Sequence, residues 1–457
     1  MIRILEQFVI LLWNRFGGRR KVRSEIGGAL IGYQVVEEQV TRQRMSLSKS
    51  QGATHLTIIG KTGTGKSSFI KQLVLQYTLA GLGFIIFDFH SDLASFVTGV
   101  YASEEWRRHE HLSDRLIVIS PGDPEMSVGL NPLGGGDKNF VAIAELAELL
   151  KMYWGLDHFG ARTDELLRNA LFALAANNLT LLELAPFLTH AGFRASCLKA
   201  VTNAEVLQYF EYRYGAVSEA MRAVMREPIL NKISAFTADP RFRHIVGQQE
   251  PTFSIQEALD NGYSILLDLP KGQLGPHALT FAGLFFTMVK NALFTRRNRM
   301  LYTIFCDEVQ NLVAQSSDIQ TVLSEARKFG VGVVSANQFL DQHTVSMRAA
   351  LLSVGTHVFF QLSSADATMI AQMLDGGKPL AERLKNLPQR HFILKSGADR
   401  WVEGVVPHVE EPHTSDTDLL NRSRSLWARP RAVIEQEIRN RHAVFSRTTD
   451  EALHDWN

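Results

Sequence analysis

Cysteine is almost missing from this chain of 457 residues, with only Cys197 and Cys306 present. Two thiols far apart build neither a disulfide framework nor a cysteine zinc site. The apolar run around Cys306 predicts a buried free thiol in a reducing, cytoplasmic setting. Proline is scarce, 14 residues against 33 glycines, and no repeat or low-complexity tract occurs, so collagen-like and disordered classes are excluded. An excess of one charge is also lacking. With 48 Lys and Arg against 47 Asp and Glu, the net charge is +1, so contact with a polyanion must come from a local basic stripe. Long hydrophobic runs are few. Residues 4–13 are apolar but contain Glu6 and Gln7, and reach only half of the roughly 20 residues a membrane span needs. Residues 278–294 carry Lys290 and Asn291 and are expected to form a buried helix packed on a sheet. No integral membrane segment is expected. What remains, 45% apolar and 21% charged, is ordinary globular composition, long enough for about three structural units.

Apolar runs with β character occupy residues 54–60, 83–89, 115–120, 263–269, 302–307, 331–336 and 356–362. Most have no polar alternation, which predicts strands covered on both faces and hence a mostly parallel sheet in an α/β fold. A further strand at 391–395 is expected at an edge. Between Lys138 and about Arg243 the leucines keep helical spacing without an intervening strand, which predicts an inserted all-α domain. Inside it, Thr180 and Glu183 form a capping-box pattern, and 218–236 reads as a helix crossed by Pro228. The expected organisation is an N-terminal helix and basic linker over 1–50, a first core part over 51–137, the helical insertion over 138–245, a second core part over 246–410 and a peripheral polar tail over 411–457. The cations Arg15, Arg19, Arg20, Lys21 and Arg23 are taken as a solvated linker in preference to a lipid or DNA contact.

One motif carries chemistry. Gly60-Lys61-Thr62-Gly63-Thr64-Gly65-Lys66-Ser67 matches G-x-x-x-x-G-K-[ST], with a predicted strand before it. After it, Phe69, Ile70, Leu73, Val74 and Tyr77 recur at helical spacing. Glycines allow successive backbone N–H groups to turn inward around phosphate, and the helix N-terminus adds positive potential. Lys66 is expected on the β/γ-phosphates and Ser67 on Mg²⁺, with Ser68 completing the cradle for ATP. Asp307 ends the apolar run Ile304-Phe305-Cys306 and supplies the second metal-side ligand. Glu308 beside it is the candidate base for the attacking water, so hydrolysis is expected. Gln338, after the strand at 331–336, is the candidate γ-phosphate sensor. Arg327, at the end of the helical stretch 319–328, is the candidate cation for the transferring phosphoryl group, supplied from a neighbouring subunit.

Taken together, GKTGTGKSS, DFHSDL (88–93), NPL (131–133), DEVQNL (307–312), SEARKFG (324–330) and SANQ (335–338) resemble the HerA/FtsK superfamily, and within it the TraD/TraG-type conjugative coupling proteins, over roughly residues 50–410. The resemblance implies a RecA-like P-loop core, a ring of six such domains, ATP cleavage between subunits and DNA passing through a central pore. It assigns Lys66, Ser67, Asp307, Glu308, Arg327 and Gln338 the roles given above. A relaxase, a secretion channel or a nuclease or effector becomes the expected partner, at the inner face of the plasma membrane. Two departures stand out: the pair of membrane helices typical of coupling proteins is not seen, and DFHSDL lacks the usual proline and glycine. Asp88 and Asp92 are therefore given no catalytic role and are expected either to be structural or to support the residues that touch the ligand. Two other functions remain open, a secretion ATPase that drives protein subunits and an ATP-gated scaffold that recruits an effector. His109-Glu110-His111 has no third ligand at a recognised spacing and is not read as a metal site. Arg296, Arg297 and Arg299 are expected to face the C-terminal dipole of the helix before them, and 270–273 to project toward a pore or a nucleotide.

Overall fold

Side chains alternate across each central strand, and both sets are buried. In β4 (Phe84–Asp88) Phe84 and Ile86 enter one hydrophobic core while Ile85 and Phe87 enter another on the opposite face. The same split occurs in β7 (Ser264–Asp268) and β8 (Tyr302–Cys306), which explains why these runs carry no polar alternation. The computed structural model describes residues 28–103, 114–134, 140–307, 309, 312, 318–412 and 417–454. Glu308, the N-terminal run 4–13, the basic cluster 15–23 and the 109–111 triplet lie outside the described residues.

The remaining strands are β1 (Ala29–Val36), β2 (Gln39–Leu47), β3 (Leu56–Ile59), β5 (Leu116–Ile119), β6 (Met126–Ser127), β9 (Val331–Asn337), β10 (Thr356–Phe359), β11 (His391–Ser396), β12 (Val402–Val405) and β13 (Arg429–Pro430). Of the thirteen strands among the described residues, eleven form one sheet in the order β2-β1-β12-β11-β10-β3-β9-β8-β4-β7-β5, and β6 pairs with β13. From β10 to β5 every pairing is parallel; the four strands beyond β10 are antiparallel. The mostly parallel α/β sheet expected from the sequence is therefore present. The helices Lys66–Leu79 and Asp92–Ala102 cover one face, and His277–Phe294 covers the other.

Three expectations are corrected. Residues 29–47, assigned to a helix and linker, form the β1–β2 hairpin, turned by Glu37 and Glu38 at φ 49° and 64°. The strand at 391–396 is not an edge, because β10 flanks it on one side and β12 on the other. The polar tail is fastened down. Ser423, on the helix Thr417–Trp427, donates to Leu116 O at 3.1 Å and accepts from Val118 N at 3.1 Å, closing the free edge of β5. On the last helix, Arg431–His454, Ile434 and Ile438 are fully buried. Arg441 and His442 each reach Glu183 at 2.9 Å. Burial works to raise the Glu183 carboxyl, but His442, Arg441 and Thr180 together hold it below its ordinary range.

Helices fill 140–246, and Thr180 does cap its turn through the predicted box with Glu183. Pro228 does lie inside the helix Glu219–Thr237. These helices share one continuous hydrophobic core with the sheet face, so the inserted segment packs as part of the α/β body. Asn131 of the NPL triplet ties it in, donating to Leu179 O at 3.3 Å and Gln249 O at 3.1 Å and accepting from Leu133 N at 3.0 Å. By length and composition His277–Phe294 is apolar enough to cross a membrane. Here it is a core helix, and its one internal charge, Lys290, pairs with Glu145 at 2.8 Å. Both Cys197 and Cys306 are buried free thiols, and burial pushes both up, Cys197 to about 12.

Candidate nucleotide site

Parallel strands end at one edge of the sheet, and the turns that follow β3, β4, β8 and β9 meet there around a cavity of about 430 Å³. The turn after β3 is the glycine motif. Gly60 N donates to Asn337 O at 3.1 Å and Lys61 N to Gln361 O at 2.9 Å, which hang the loop between the neighbouring strand ends. Thr64 Oγ1 closes the loop on Lys61 O at 2.7 Å. Gly65, at φ 120°, begins the helix Lys66–Leu79 and leaves its first turn without a side-chain cap. A Cβ on Gly65 would lie 2.9 Å from Arg390 Cα, and one on Gly60 would lie 2.6 Å from Phe360 Cβ. No larger residue fits at either place without moving backbone.

Thr62, Gly63, Gly65, Lys66, Ser67 and Ser68 line the cavity, whereas Gly60, Lys61 and Thr64 shape the loop from behind. Lys66 Nζ donates to Gly60 O at 2.6 Å and Lys61 O at 2.9 Å, which parks the ammonium at the mouth of the cradle, where phosphate oxygens would compete for it. Asp307 and Gln338 line the same cavity. This donor set fits a magnesium nucleotide: an uncapped helix N-terminus and Lys66 for phosphates, Ser67 and Asp307 for the cation. When bound, Mg²⁺ would neutralise charge on the phosphates.

Four polar cavity residues were given no binding role by sequence reasoning. His90 and Asp92 follow β4, and their loop is held by Asp88, whose carboxylate accepts from His90 N at 3.0 Å and Ala94 N at 2.7 Å. Burial raises the Asp88 carboxyl against those two hydrogen bonds, which agrees with a structural role. Asp92, in contrast, lines the cavity. The signal was its place at the same sheet edge as the glycine loop. Gln389 donates to Gly63 O at 3.1 Å, and Arg390 N donates to Thr64 O at 2.8 Å. Nothing in the sequence links them to a loop more than three hundred residues earlier. Asn337 is the fourth, one residue before the chosen sensor.

Arg327 is not in this cavity. It is an exposed residue of the short turn Ala326–Phe329 that enters β9, whereas Gln338 leaves the far end of that strand, about 23 Å away at 3.3 Å per residue. Its charge is felt instead at His55, at the opposite end of β3 from the glycine loop. His55 sits at φ 64° and accepts from Val333 N through Nδ1 at 3.0 Å. Burial, and then Arg327, lower its pKa from 6.5 to about 4. The folded protein thus keeps His55 neutral at pH values where the unfolded chain protonates it. The associated stability is present above about pH 6.5 and is lost as pH falls toward 4, a difference of about 3 kcal/mol. Denaturant unfolding at pH 7 and pH 4 should show His55→Asn losing less stability on acidification than the wild type, by about that amount. Equal losses would remove His55 as a source.

Two other expectations are corrected. Arg296 is buried and does not face the helix that precedes it. It donates to Leu259 O at 3.3 Å and Phe329 O at 3.0 Å, and lies over the Tyr302 ring. The segment 270–273 does not line the nucleotide cavity, although Gly272 and Gln273 are exposed. Its Lys271 lies over the Phe89 ring, and Gln273 O accepts from Arg241 at 2.6 Å.

A glycine loop between a strand and a helix, with an acidic strand end two strands away in the same sheet, defines a P-loop NTPase of RecA-like fold. Residues 39–266, about half of the chain, match the family model described as the helicase HerA central domain. The chain is a HerA/FtsK-type P-loop ATPase. Among solved structures, the bacterial conjugative coupling protein TrwBΔN70, unbound, is similar over 84% of this chain and 91% of its own at 17% identity and a TM-score of 0.59. TrwB with a non-hydrolysable ATP analogue covers 86% and 98% at 16% identity and a TM-score of 0.61. VirB4 of Thermoanaerobacter pseudethanolicus covers 84% and 97% at 15% identity and a TM-score of 0.55. These likenesses establish the fold. No curated protein matches the chain in sequence.

Proposed function

We propose that this protein is a ring-forming, hexameric ATPase that couples Mg²⁺-dependent ATP hydrolysis to passage of DNA through a central pore, in the manner of a coupling protein. Its setting is the cytoplasm, against the inner face of the membrane, with a relaxase, secretion channel or effector as partner. The observation that carries the reading is the division of the catalytic set. Lys66, Ser67, Asp307 and Gln338 share one cavity, while Arg327 stands exposed at the opposite end of β9 and cannot reach it. A finger that cannot serve its own site is suited to the next subunit's. In this reading Glu308 orients the attacking water, and Arg327 supplies charge across the subunit boundary. Further support comes from relatives of the same fold, described as a conjugative coupling protein and crystallised with ADP and Mg²⁺ or with an ATP analogue.

The test is ATP turnover with and without DNA over a salt series. DNA should raise kcat several-fold, and the DNA concentration needed should climb steeply between about 50 and 200 mM salt, because phosphate contacts release counterions. Turnover indifferent to DNA but raised by polypeptide would favour the protein-driving reading instead.

A further inference from the structure

The antiparallel end of the sheet reaches the phosphate cradle through one turn. His391 N donates to Pro388 O at 3.1 Å, closing a tight turn in which Arg390 holds φ 68°, a backbone conformation that turns usually give to glycine. A residue with a side chain keeps that conformation only where its surroundings impose it. Here both backbone groups of Arg390 are engaged: its N–H donates to Thr64 O at 2.8 Å, and its carbonyl accepts from Val406 N at 3.0 Å. One residue earlier, Gln389 Nε2 donates to Gly63 O at 3.1 Å. Two successive carbonyls of the glycine loop are therefore held by this turn.

In a trans peptide the N–H points opposite to the C=O, so fixing Thr64 O on Arg390 aims the Gly65 N–H away from Arg390. Gly65 lines the cavity, whereas Thr64 and Arg390 do not. The turn is itself backed from behind. His391 Nδ1 lies 3.0 Å from Glu403 Oε1, and Arg383 donates to the same carboxylate at 2.7 and 2.9 Å. Phe392 of β11 meets Phe69 of the helix Lys66–Leu79 edge to face, with ring centres 5.4 Å apart, and Phe360 meets the same ring at 6.1 Å. Turn, glycine loop and the start of the helix are thus packed against one another.

We propose that Gln389 and the backbone of Arg390 are positioning elements that hold the empty cradle in its phosphate-binding shape. Arg390 turns the Thr64–Gly65 peptide so that its N–H is left for phosphate, and Gln389 fixes the tip of the loop at Gly63. The antiparallel extension of the sheet thereby sets the affinity for the phosphates, because a loop already in shape has little order left to lose on binding. This deepens the ATPase reading above and rests on it.

The test is equilibrium binding of the non-hydrolysable analogue ADPNP and of inorganic pyrophosphate, each with Mg²⁺, to the full chain. Gln389→Met removes the donor from an exposed side chain of similar length. It should weaken both ligands by the same factor, about fivefold to tenfold, the scale of one hydrogen bond. At position 390 glycine accepts the positive φ and valine resists it, and neither carries charge. Arg390→Gly should therefore bind pyrophosphate about tenfold more tightly than Arg390→Val. A role confined to stability would move the melting temperature and leave the affinities of the folded variants alone, which overturns the proposal. So does a loss in Gln389→Met that is confined to ADPNP, since the amide would then touch the nucleoside. Equal weakening in Arg390→Gly and Arg390→Val overturns it too, since the guanidinium and not the backbone would then matter. A wild-type protein that binds neither ligand overturns the ATPase reading as well, which keeps the two failures distinct.

Discussion

Replacing Arg327 by alanine should reduce ATP turnover about 10³-fold or more, the usual scale for an arginine that stabilises charge on a transferring phosphoryl group. The nucleotide affinity of a single protomer should stay within about twofold, because the side chain enters no contact with its own cavity. The distinction matters, since a residue acting within its own subunit would disturb binding and turnover together. Arg327→Lys should restore little, because an ammonium lacks the planar fork that spans two phosphoryl oxygens. Steady-state kinetics beside equilibrium binding of a fluorescent nucleotide decides the matter. Turnover within about threefold of wild type would remove Arg327 from the mechanism.

Lys66→Ala should be as severe by a different route. Its ammonium carries the charge aimed at the phosphates, and charge-assisted hydrogen bonds are worth about 1.5–3 kcal/mol each, so nucleotide affinity should fall about a hundredfold and turnover with it. Thermal melting checks this without an enzymatic assay. Nucleotide at about 100 times the wild-type Kd should stabilise wild type by about 2.7 kcal/mol and Lys66→Ala by only about 0.4 kcal/mol. Equal stabilisation of the two would mean that the cradle binds through its backbone only.

What could be read from the sequence were features that a local pattern encodes. Residues 60–67 carry the φ and space requirements of Gly65 and Gly60 in their own spacing, and the both-face burial of β4, β7 and β8 is written as unbroken apolar runs. The Thr180–Glu183 box was legible for the same reason. The β1–β2 hairpin was not, because its turn uses Glu37-Glu38 at positive φ, where Asn-Gly is the usual signal. Nor was the anchoring of the C-terminal helices, since Arg441 and His442 look like surface residues until Glu183, far away in sequence, is placed beneath them. In the site, Gln389 and Arg390 meet the glycine loop only through strand order. Asn337 stood one residue from the chosen sensor, and only the fold shows that it lines the cavity too.

The central claim is that each active site is finished by the adjacent copy, and mixing two inactive proteins tests it most directly. Lys66→Ala has an intact finger and a disabled cradle; Arg327→Ala has the reverse. Combined in equal amounts and allowed to assemble, they should regain ATP turnover at about a quarter of their interfaces, where a sound cradle meets a sound finger. A co-assembled mixture as inactive as either parent would contradict the account.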